Sequence, residues 1–393
     1  MAETKTMIVE SPALLSFAGN PIIYKVKTGK GLGAEESFLR ISCRAVFSLI
    51  GNVEFYEGNM NFSTDLSQPV EDYGTAVFNL SDAAQTLLRN IQSALDINDG
   101  NAFSAYGLVA NINFKTVWVY ENQEYESEAE YAPSLYVVPG SFTDYEMFAL
   151  SDTYLLSIAK NGLAMTRKPE GGVLYKGEEL VIPVLYGYHN ESNPGMIDTK
   201  TATSSMSVAG EQLFEGTSFV ESNVLSYLRV STDDAAEDGD YVFESSMTRS
   251  FTGRFRTNTS GVHFLRFING FGAIENISVR SKDKLSYSVT GETHSLVQEA
   301  SVRPTDRRYA MKNQPIGVYE LSSGYVPKAW AEWFVQELLT SPRVWIKIGE
   351  KWIPALIESD DNCVIYDRTN PGMPHVDFKI RLAIDGVTGC LLK

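Results

Sequence analysis

The sequence is poor in cysteine and in basic residues, and it has no long apolar run. Its three cysteines, Cys43, Cys363 and Cys390, are odd in number and far apart, so they predict neither a disulfide framework nor a CxxC-type zinc site. Lysine and arginine total 33 against 49 aspartates and glutamates, and this net charge of −16 argues against binding to nucleic acid or anionic lipid. No stretch approaches the ~18 apolar residues of a membrane-spanning helix, and the N-terminus has no signal-peptide pattern. We therefore expect a protein made in a cytoplasm and not inserted in a membrane.

The motifs that mark common enzymes are also missing. There is no GxxxxGK[ST] phosphate loop, no GxSxG nucleophile elbow and no HExxH metal motif. The glycine run at 29–33 lacks the spacing of a dinucleotide fingerprint and precedes a strand pattern, so it predicts a hairpin turn. Each of the four histidines is isolated and is expected to be a solvated or core side chain: His189, His263, His294 and His375. We predict a non-enzymatic protein with no catalytic residue, no cofactor and no resident metal.

Three acidic segments are the remaining candidates for chemistry. Asp96–Gly100 misses the order of a calcium loop by one position, and Asp233–Asp240 offers enough oxygen atoms at spacings that match no calcium motif. Both segments predict acidic turns, and calcium binding stays open as the less favoured alternative. The third segment alternates glutamate with other residues and predicts a solvated, self-repelling strand edge: Glu124, Glu126, Glu128 and Glu130.

Short runs of alternating apolar and polar residues dominate the rest of the chain. Phe38–Phe47 is one such run, and it makes Cys43 a core thiol. Arg343–Ile357 predicts a β-hairpin with the two-residue turn Gly349-Glu350, and Val376–Asp385 predicts a strand with one buried face. These patterns predict a mainly β fold of antiparallel, β-sandwich-like domains with a few packed helices.

Two segments have helical periodicity instead. After Ser81 as the N-cap, apolar residues recur at helical spacing through residues 81–95. A second helix is predicted over Lys328–Thr340, with Trp330 and Trp333 on one face. That spacing favours core packing of the two tryptophans over an exposed platform for sugars.

We predict three domains from these patterns. Residues 1–140 form a β-rich domain with the helix at 81–95, and residues 141–295 form a central β-rich domain with long loops, among them the polar stretch Asn190–Ala209. Residues 296–393 form a C-terminal α+β module with the helix at 328–340, the hairpin at 343–357 and the strand at 376–385. The second boundary is placed near Ser295–Arg303, because the sequence there becomes polar and then basic over Arg303–Arg308. This composition predicts an exposed linker.

Four segments together resemble a known family. They are Leu15–Ile22, Ala76–Leu88, His263–Ala273 and the helix-to-hairpin segment Ala331–Pro354. In this order they resemble tail-associated structural proteins encoded by phages and prophages of Bacteroidetes-type gut bacteria. The third segment departs from that pattern, because Ile274-Glu275-Asn276-Ile277 follow the glycine turn where the relatives have aromatic residues. The resemblance implies a virion component of the tail or adsorption apparatus, and it implies no catalytic residues.

Three functions therefore stand at this point. The first is a phage virion structural protein that acts by subunit assembly, with copies of itself and other tail proteins as partners. The second is a carbohydrate-binding or adhesin module that recognises a bacterial surface glycan through exposed aromatic residues in a groove. The third, and least favoured, is a glycan hydrolase, which needs a pair of carboxylates across a cleft and a raised pKa on one of them.

Overall fold

The computed structural model describes residues 5–52, 61–95, 97–98, 100–143, 146, 156, 159–189, 197–295, 308–358 and 374–383. Within these ranges it describes all side chains except those of 101 and 283–317. The predictions that concern Cys363, Cys390, Asp96, the side chain of His294 and residues 190–196 therefore lie outside the described residues. Among the described residues, no helix is both long enough and apolar enough to cross a bilayer.

The first third of the chain contains short and long strands, one α-helix and a 3₁₀ turn at Gly100–Phe103. The elements are β1 (Thr6–Glu10), β2 (Leu15–Phe17), β3 (Ile23–Thr28), β4 (Glu36–Gly51), β5 (Asn61–Pro69), β6 (Thr75–Asn79), α1 (Ser81–Ala94), β7 (Tyr106–Tyr120), β8 (Gln123–Glu126), β9 (Glu130–Tyr131) and β10 (Leu135–Val138).

These strands form a sandwich around one hydrophobic core. β3 lies between β1 and β6 in a three-stranded sheet, and β4 and β7 pair along nearly their full lengths in the facing sheet. Phe114 packs against Tyr24 and Phe78 of the opposite sheet, with ring centroids 5.4 and 5.7 Å apart. Cys43 is buried here, and burial raises the pKa of its thiol to about 12, which confirms the core thiol. The buried face of α1 closes this core, and the helix predicted at 81–95 is confirmed.

The middle third is a second sandwich. Its strands are β11 (Leu163–Ala164), β12 (Gly172–Tyr175), β13 (Glu179–Leu185), β14 (Thr199–Val208), β15 (Glu211–Glu221), β16 (Leu225–Ser231), β17 (Gly239–Ser245) and β18 (Thr248–Arg256). One layer has the order β12-β18-β17-β14-β15. The other layer, β11-β13-β16, continues the large sheet of the first sandwich through a single residue pair, Leu225 with Tyr106.

Two predictions about loops are wrong. Of the polar stretch Asn190–Ala209, residues 199–208 form β14, which pairs on both sides. The buried apolar residues of this strand are Ala202, Met206 and Val208, and most of the other residues are serine or threonine. The alternation of apolar and polar residues that marks a strand is therefore weak in the sequence. The glycine run at 29–33 is not a hairpin turn either, because β3 and β4 lie in different sheets. The run crosses between the layers, and the Glu36 carboxylate accepts hydrogen bonds from Lys30 Nζ and the Gly33 N–H.

The last third closes into a six-stranded barrel. Its elements are β19 (Val262–Ile268), β20 (Ile274–Ser295), β21 (Arg308–Ser322), α2 (Lys328–Trp333), β22 (Val344–Ile348), β23 (Lys351–Glu358) and β24 (Asp377–Leu382). The order is β19-β20-β21-β24-β23-β22, and β22 pairs back with β19. The barrel interior is a packed hydrophobic core, to which α2 and the π-helical turn Phe334–Leu338 contribute.

Several predictions for this third are confirmed. β22 and β23 form the hairpin with Gly349-Glu350 as its turn, and β24 buries Phe378 and Ile380 in alternation with exposed neighbours. Trp330 and Trp333 are core residues, as their helical spacing indicates. Residues 384–385 of the predicted strand lie outside the described part of the chain.

The modules contact one another through a shared aromatic cluster. Phe17 of the first sandwich, Phe142 of the following segment and Phe271 of the barrel pack together, with ring centroids 4.7–6.2 Å apart. Gly140 has φ +87°, and a Cβ there would lie 2.0 Å from the Phe271 carbonyl carbon, so only glycine fits. The predicted division at 140 and 295 stays a prediction. The three largest hydrophobic clusters nevertheless follow the order of the chain, and the barrel cluster begins at Leu265.

Candidate functional site

Two of the groups singled out in the sequence, His263 and Asp238, have structural surroundings. His263 packs edge-on against Tyr319, and burial lowers the pKa of its imidazole. Asp238 of the second acidic segment holds a turn, because it accepts hydrogen bonds from the Thr257 N–H and hydroxyl and from Arg256; these bonds lower its pKa to about 2. Within the described ranges, no three His, Cys, Asp or Glu side chains come close enough together to hold a metal ion.

The glutamate-rich segment is an edge, and two of its four charges, those of Glu124 and Glu126, are paired. β8 pairs with β7 alone among the described strands. Glu124 accepts hydrogen bonds from Arg40 at 3.0 and 3.1 Å, and Glu126 accepts one from Lys115 at 2.6 Å. For these two glutamates the predicted self-repulsion is offset, because the neighbouring strands β4 and β7 supply Arg40 and Lys115, which the sequence spacing does not reveal.

A buried polar cluster lies between the second sandwich and the barrel, and sequence reasoning missed it. It contains Lys168, Glu178 and Glu275, all nearly inaccessible to solvent. Lys168 Nζ donates to the Asn276 carbonyl at 3.2 Å, Ser278 Oγ donates to the Glu178 carboxylate, and the Asn269 amide donates to Glu275 Oε1 at 2.5 Å. The first two of these bonds tie together segments that are about a hundred residues apart.

The two buried carboxyl groups have raised pKa values. Burial raises the pKa of Glu275 to about 7, and the nearby Lys168 opposes this rise without cancelling it. Burial likewise raises the pKa of Glu178. Such carboxyls are candidates for acid–base work in a cleft, but Glu275 is only 1% exposed and is held by structural hydrogen bonds. The arrangement is suited to fixing the sandwich on the barrel.

Replacing Glu275 by glutamine should remove a dependence of stability on pH. Because the pKa rises from 4.5 in the unfolded chain to about 7 in the folded one, the folded state retains a proton between these values that the unfolded state has lost. The free energy of unfolding of the parent protein therefore falls as pH rises from about 4.5 to 7 and is flat above. We expect E275Q to gain roughly 3 kcal/mol relative to the parent protein between pH 4 and pH 8.

Urea unfolding at pH 4, 5, 6, 7 and 8 measures this difference. Glu332 is partly exposed on the surface of α2 and pairs with Lys328, so E332Q is the matched control and should show no trend. A constant difference between E275Q and the parent protein across this range would contradict the prediction.

An open groove of about 670 Å³ lies between β12 and the barrel. It is lined by β12, by β20 and β21 near Arg280 and Ser322, and by the segments at 323–327 and 375–377. Its volume lies within the roughly 300–1,000 Å³ of small-ligand sites. Gly172 makes room for the Trp330 side chain, which also lines the groove. A Cβ at position 172 would lie only 2.3 Å from Cζ2 of Trp330. Four segments that are separate in the sequence form the groove, so no local motif indicates it.

Charged and aromatic side chains converge in this groove. Arg280 Nη2 donates to the Tyr175 hydroxyl at 3.2 Å, and Lys282 Nζ donates to the Asp377 carboxylate. Burial alone would raise the pKa of Asp377, but the hydrogen bonds from Lys282 and Ser322 and the charges of Lys282 and His375 together outweigh it, so the pKa lies below its ordinary value. His375 Nε2 lies 3.6 Å from Asp377 Oδ2, and the His375 ring meets Tyr325 edge-on at 5.6 Å. The groove thus offers two cations, one carboxylate and an aromatic ring.

A second feature is a two-stranded ribbon that extends from the barrel. β20 pairs with β19 only as far as Arg280, and β21 pairs with β24 only from Val318 onward. Beyond these positions the two strands pair with each other alone, residue 287 opposite 317 through residue 295 opposite 308. At about 3.3 Å per residue, this ribbon is ~30 Å long. Among the described strands, it has no neighbour on either edge.

Comparison with known proteins finds only faint likeness. No family model matches the chain, and no curated protein matches it. Similar solved structures include trypsin-activated α2-macroglobulin from Escherichia coli (10% identity, TM-score 0.23, 98% of this chain and 22% of that one) and the chicken CNTN1 FN1–FN3 domains (8%, 0.19, 98% and 97%). Dimeric latent PorU from Porphyromonas gingivalis is a third (10%, 0.22, 90% and 33%). The chain spans about a fifth of the α2-macroglobulin, and at these TM-scores the likenesses carry no argument about function.

Proposed function

We propose that the protein is a non-enzymatic structural component of a virion, part of a phage tail or its adsorption apparatus, that acts by subunit assembly. In this proposal it is made in the host cytoplasm and ends in the virion, with copies of itself and other tail proteins as partners. The observation that carries the proposal is the ribbon formed by the outer parts of β20 and β21. The sequence resemblance supports the virion context.

The ribbon supports assembly because it is incomplete as a folding unit. An isolated two-stranded ribbon is marginally stable at best in water, and a third strand or a packed surface is needed to hold it. Each of its strands also has one row of backbone N–H and C=O groups without a neighbour among the described strands. Strand addition from another chain satisfies both needs.

A second copy of this chain is the partner that fits best. A ribbon with two open edges can pair with an identical ribbon on each side, so one contact repeats from subunit to subunit. β15 ends the five-stranded layer and is a second open edge among the described strands, with Phe219 77% exposed on it. Repeated contacts of this kind generate a ring if the rotation between subunits closes, and a filament if it does not.

Shortening the ribbon tests the proposal. Ser286 and Val318 face each other in the ladder, so residues 287–317 can be replaced by the two-residue turn Asn-Gly without changing the register below. We expect the full chain to form a ring, a small closed oligomer or a polymer and the shortened chain to be a monomer with the same thermal midpoint. Light scattering on gel-filtered protein, with negative-stain images of the same fraction, measures both.

The control places the same turn elsewhere. Ala209 and Gly210 connect β14 and β15 with φ values of +53° and +84°, which Asn-Gly accepts without changing the length of the chain. This variant should associate like the parent protein. A full-length protein that stays monomeric up to the highest soluble concentration, or a shortened chain that still associates, would overturn the proposal.

A further inference from the structure

We infer that the groove between β12 and the barrel binds an acidic saccharide, a glycan that carries hexuronic acid units. This site is separate from the ribbon and does not depend on assembly. The groove is lined by Arg280, Lys282, Tyr325, His375 and Asp377, and each of three chemical features of a uronate sugar has a matching group there.

The carboxylate of the sugar matches Arg280. Among the described residues, the Arg280 guanidinium has one polar partner, the neutral Tyr175 hydroxyl, and no carboxylate. Its remaining N–H donors can bind a carboxylate in the bidentate geometry that arginine favours. Lys282 is paired with Asp377, so the charge of Arg280 is left uncompensated by the other groups that line the groove. A locally positive groove stands out on a chain whose net charge is −16.

The ring face of the sugar matches Tyr325. This side chain is 74% exposed, although a tyrosine gains free energy when its ring is covered. The edge-on contact with His375 supports the orientation of the ring. Exposed rings of this kind cover the apolar C–H face of a pyranose and leave the phenolic hydroxyl in water. Tyr325 lies in the segment that lines the groove, so a ring stacked on it lies within the site.

The hydroxyl groups of the sugar match the remaining polar lining. Asp377 is partly exposed and can accept hydrogen bonds from sugar hydroxyls in addition to those from Lys282 and Ser322. Ser278, Ser322 and Ser323 also line the groove; their hydroxyls donate to Glu178, Asp377 and the Gly324 carbonyl, so they can meet sugar hydroxyls as acceptors. An acidic peptide would use Arg280 but would bring few donors to Asp377 and no pyranose face to Tyr325. We therefore favour a sugar over a peptide.

Calorimetric titration with trigalacturonic acid tests the inference, with its methyl ester as a neutral ligand of the same skeleton. We expect trigalacturonate to bind with a dissociation constant on the order of 1 mM or tighter, and the ester to bind at least tenfold more weakly. R280Q should lose at least tenfold in affinity for the acid and little for the ester. Y325A should lose affinity for both ligands.

The controls separate charge, fold and ligand class. Arg254 is exposed on β18 and pairs with Asp240 away from the groove, so R254Q should bind like the parent protein. Thermal midpoints of all variants should agree, because Arg280 and Tyr325 are exposed. The inference is overturned if trigalacturonate does not bind at 10 mM, if the ester binds equally well, or if R280Q and Y325A bind unchanged. Tighter, Arg280-dependent binding of tetraglutamate would overturn it in favour of a peptide ligand.

Discussion

Replacing Glu337 by alanine is expected to lower the free energy of unfolding by about 3–5 kcal/mol, which is the cost of removing one partner of a buried ion pair. Glu337 lies in the π-helical turn of the barrel and is almost fully buried. It accepts hydrogen bonds from Arg167 Nη1 and from the Gly270 N–H, both at 2.6 Å. The variant would leave both donors without their acceptor in a region with little access to water.

The position of Arg167 explains why the effect should be large. Its guanidinium binds Glu337, binds Glu146 through two further hydrogen bonds of 2.8 and 2.6 Å, and lies 4.0 Å from the Phe271 ring centroid. It therefore connects the segment after the first sandwich, the chain that enters the second sandwich and the barrel. Gly270 lies so close that a Cβ there would be 2.5 Å from Arg167 Nη1. The site has little room to rearrange around a lost carboxylate.

Urea unfolding of E337A, R167M and the double variant R167M/E337A measures this coupling. We expect each single variant to be strongly destabilised and the double variant to be less so than their sum, because the Arg167–Glu337 ion pair can be lost only once. E332A removes an exposed glutamate of the same helical segment and should change stability by less than about 0.5 kcal/mol. Additive single effects would contradict the coupling and reduce Glu337 to a packing residue.

Local patterns in the sequence predict most of the individual elements. Residues 376–382 alternate between apolar and polar, and the residues after Ser81 are apolar at helical spacing. Each pattern arises because one face of the element packs on a core, and it can be recognised within ten to fifteen residues. The same holds for the hairpin at Gly349-Glu350, where the turn and both flanking strands are contiguous. Trp330 and Trp333 are assigned to the core for the same reason.

The pairing of elements is not local, and this limits the prediction. A glycine-rich crossing between two sheets has the same composition as a hairpin turn, so residues 29–33 do not reveal which sheet β4 joins. A strand with many serine and threonine residues, such as β14, resembles a loop until its two neighbours are known. The sequence does not predict the ribbon for a related reason. The ribbon exists because β20 and β21 stay paired beyond the point where their barrel neighbours end, and local patterns do not show which strands pair.

The candidate sites are harder to predict than the strands. Arg280, Tyr325 and Asp377 meet in one groove although almost a hundred residues separate the first from the last. No pair among them has a spacing that indicates a site. Lys168 and Glu275 likewise look like ordinary surface charges in the sequence, and only the packing of the barrel on the second sandwich buries them. Both sites are products of tertiary structure.

Replacing Trp330 by alanine is expected to cost about 3–5 kcal/mol of unfolding free energy, because it removes a large buried ring from a site that cannot collapse fully. Trp330 is 4% exposed and packs edge-on against Trp333, with ring centroids 5.3 Å apart. Its indole Nε1–H donates to the Glu170 carbonyl at 2.8 Å. The ring also lies against Gly172 of β12, so it joins the barrel core to the second sandwich.

Two phenylalanine variants separate packing from hydrogen bonding. W330F keeps most of the apolar contact but loses the bond to Glu170, and we expect a further loss of about 1–2 kcal/mol beyond the reduced volume. Trp333 is the matched comparison, because its buried Nε1 has no hydrogen-bond partner among the described residues. W333F should therefore cost less than W330F in the same urea titration. Equal costs would show that the indole bond to Glu170 contributes nothing, and that Trp330 holds the sandwich to the barrel by packing alone.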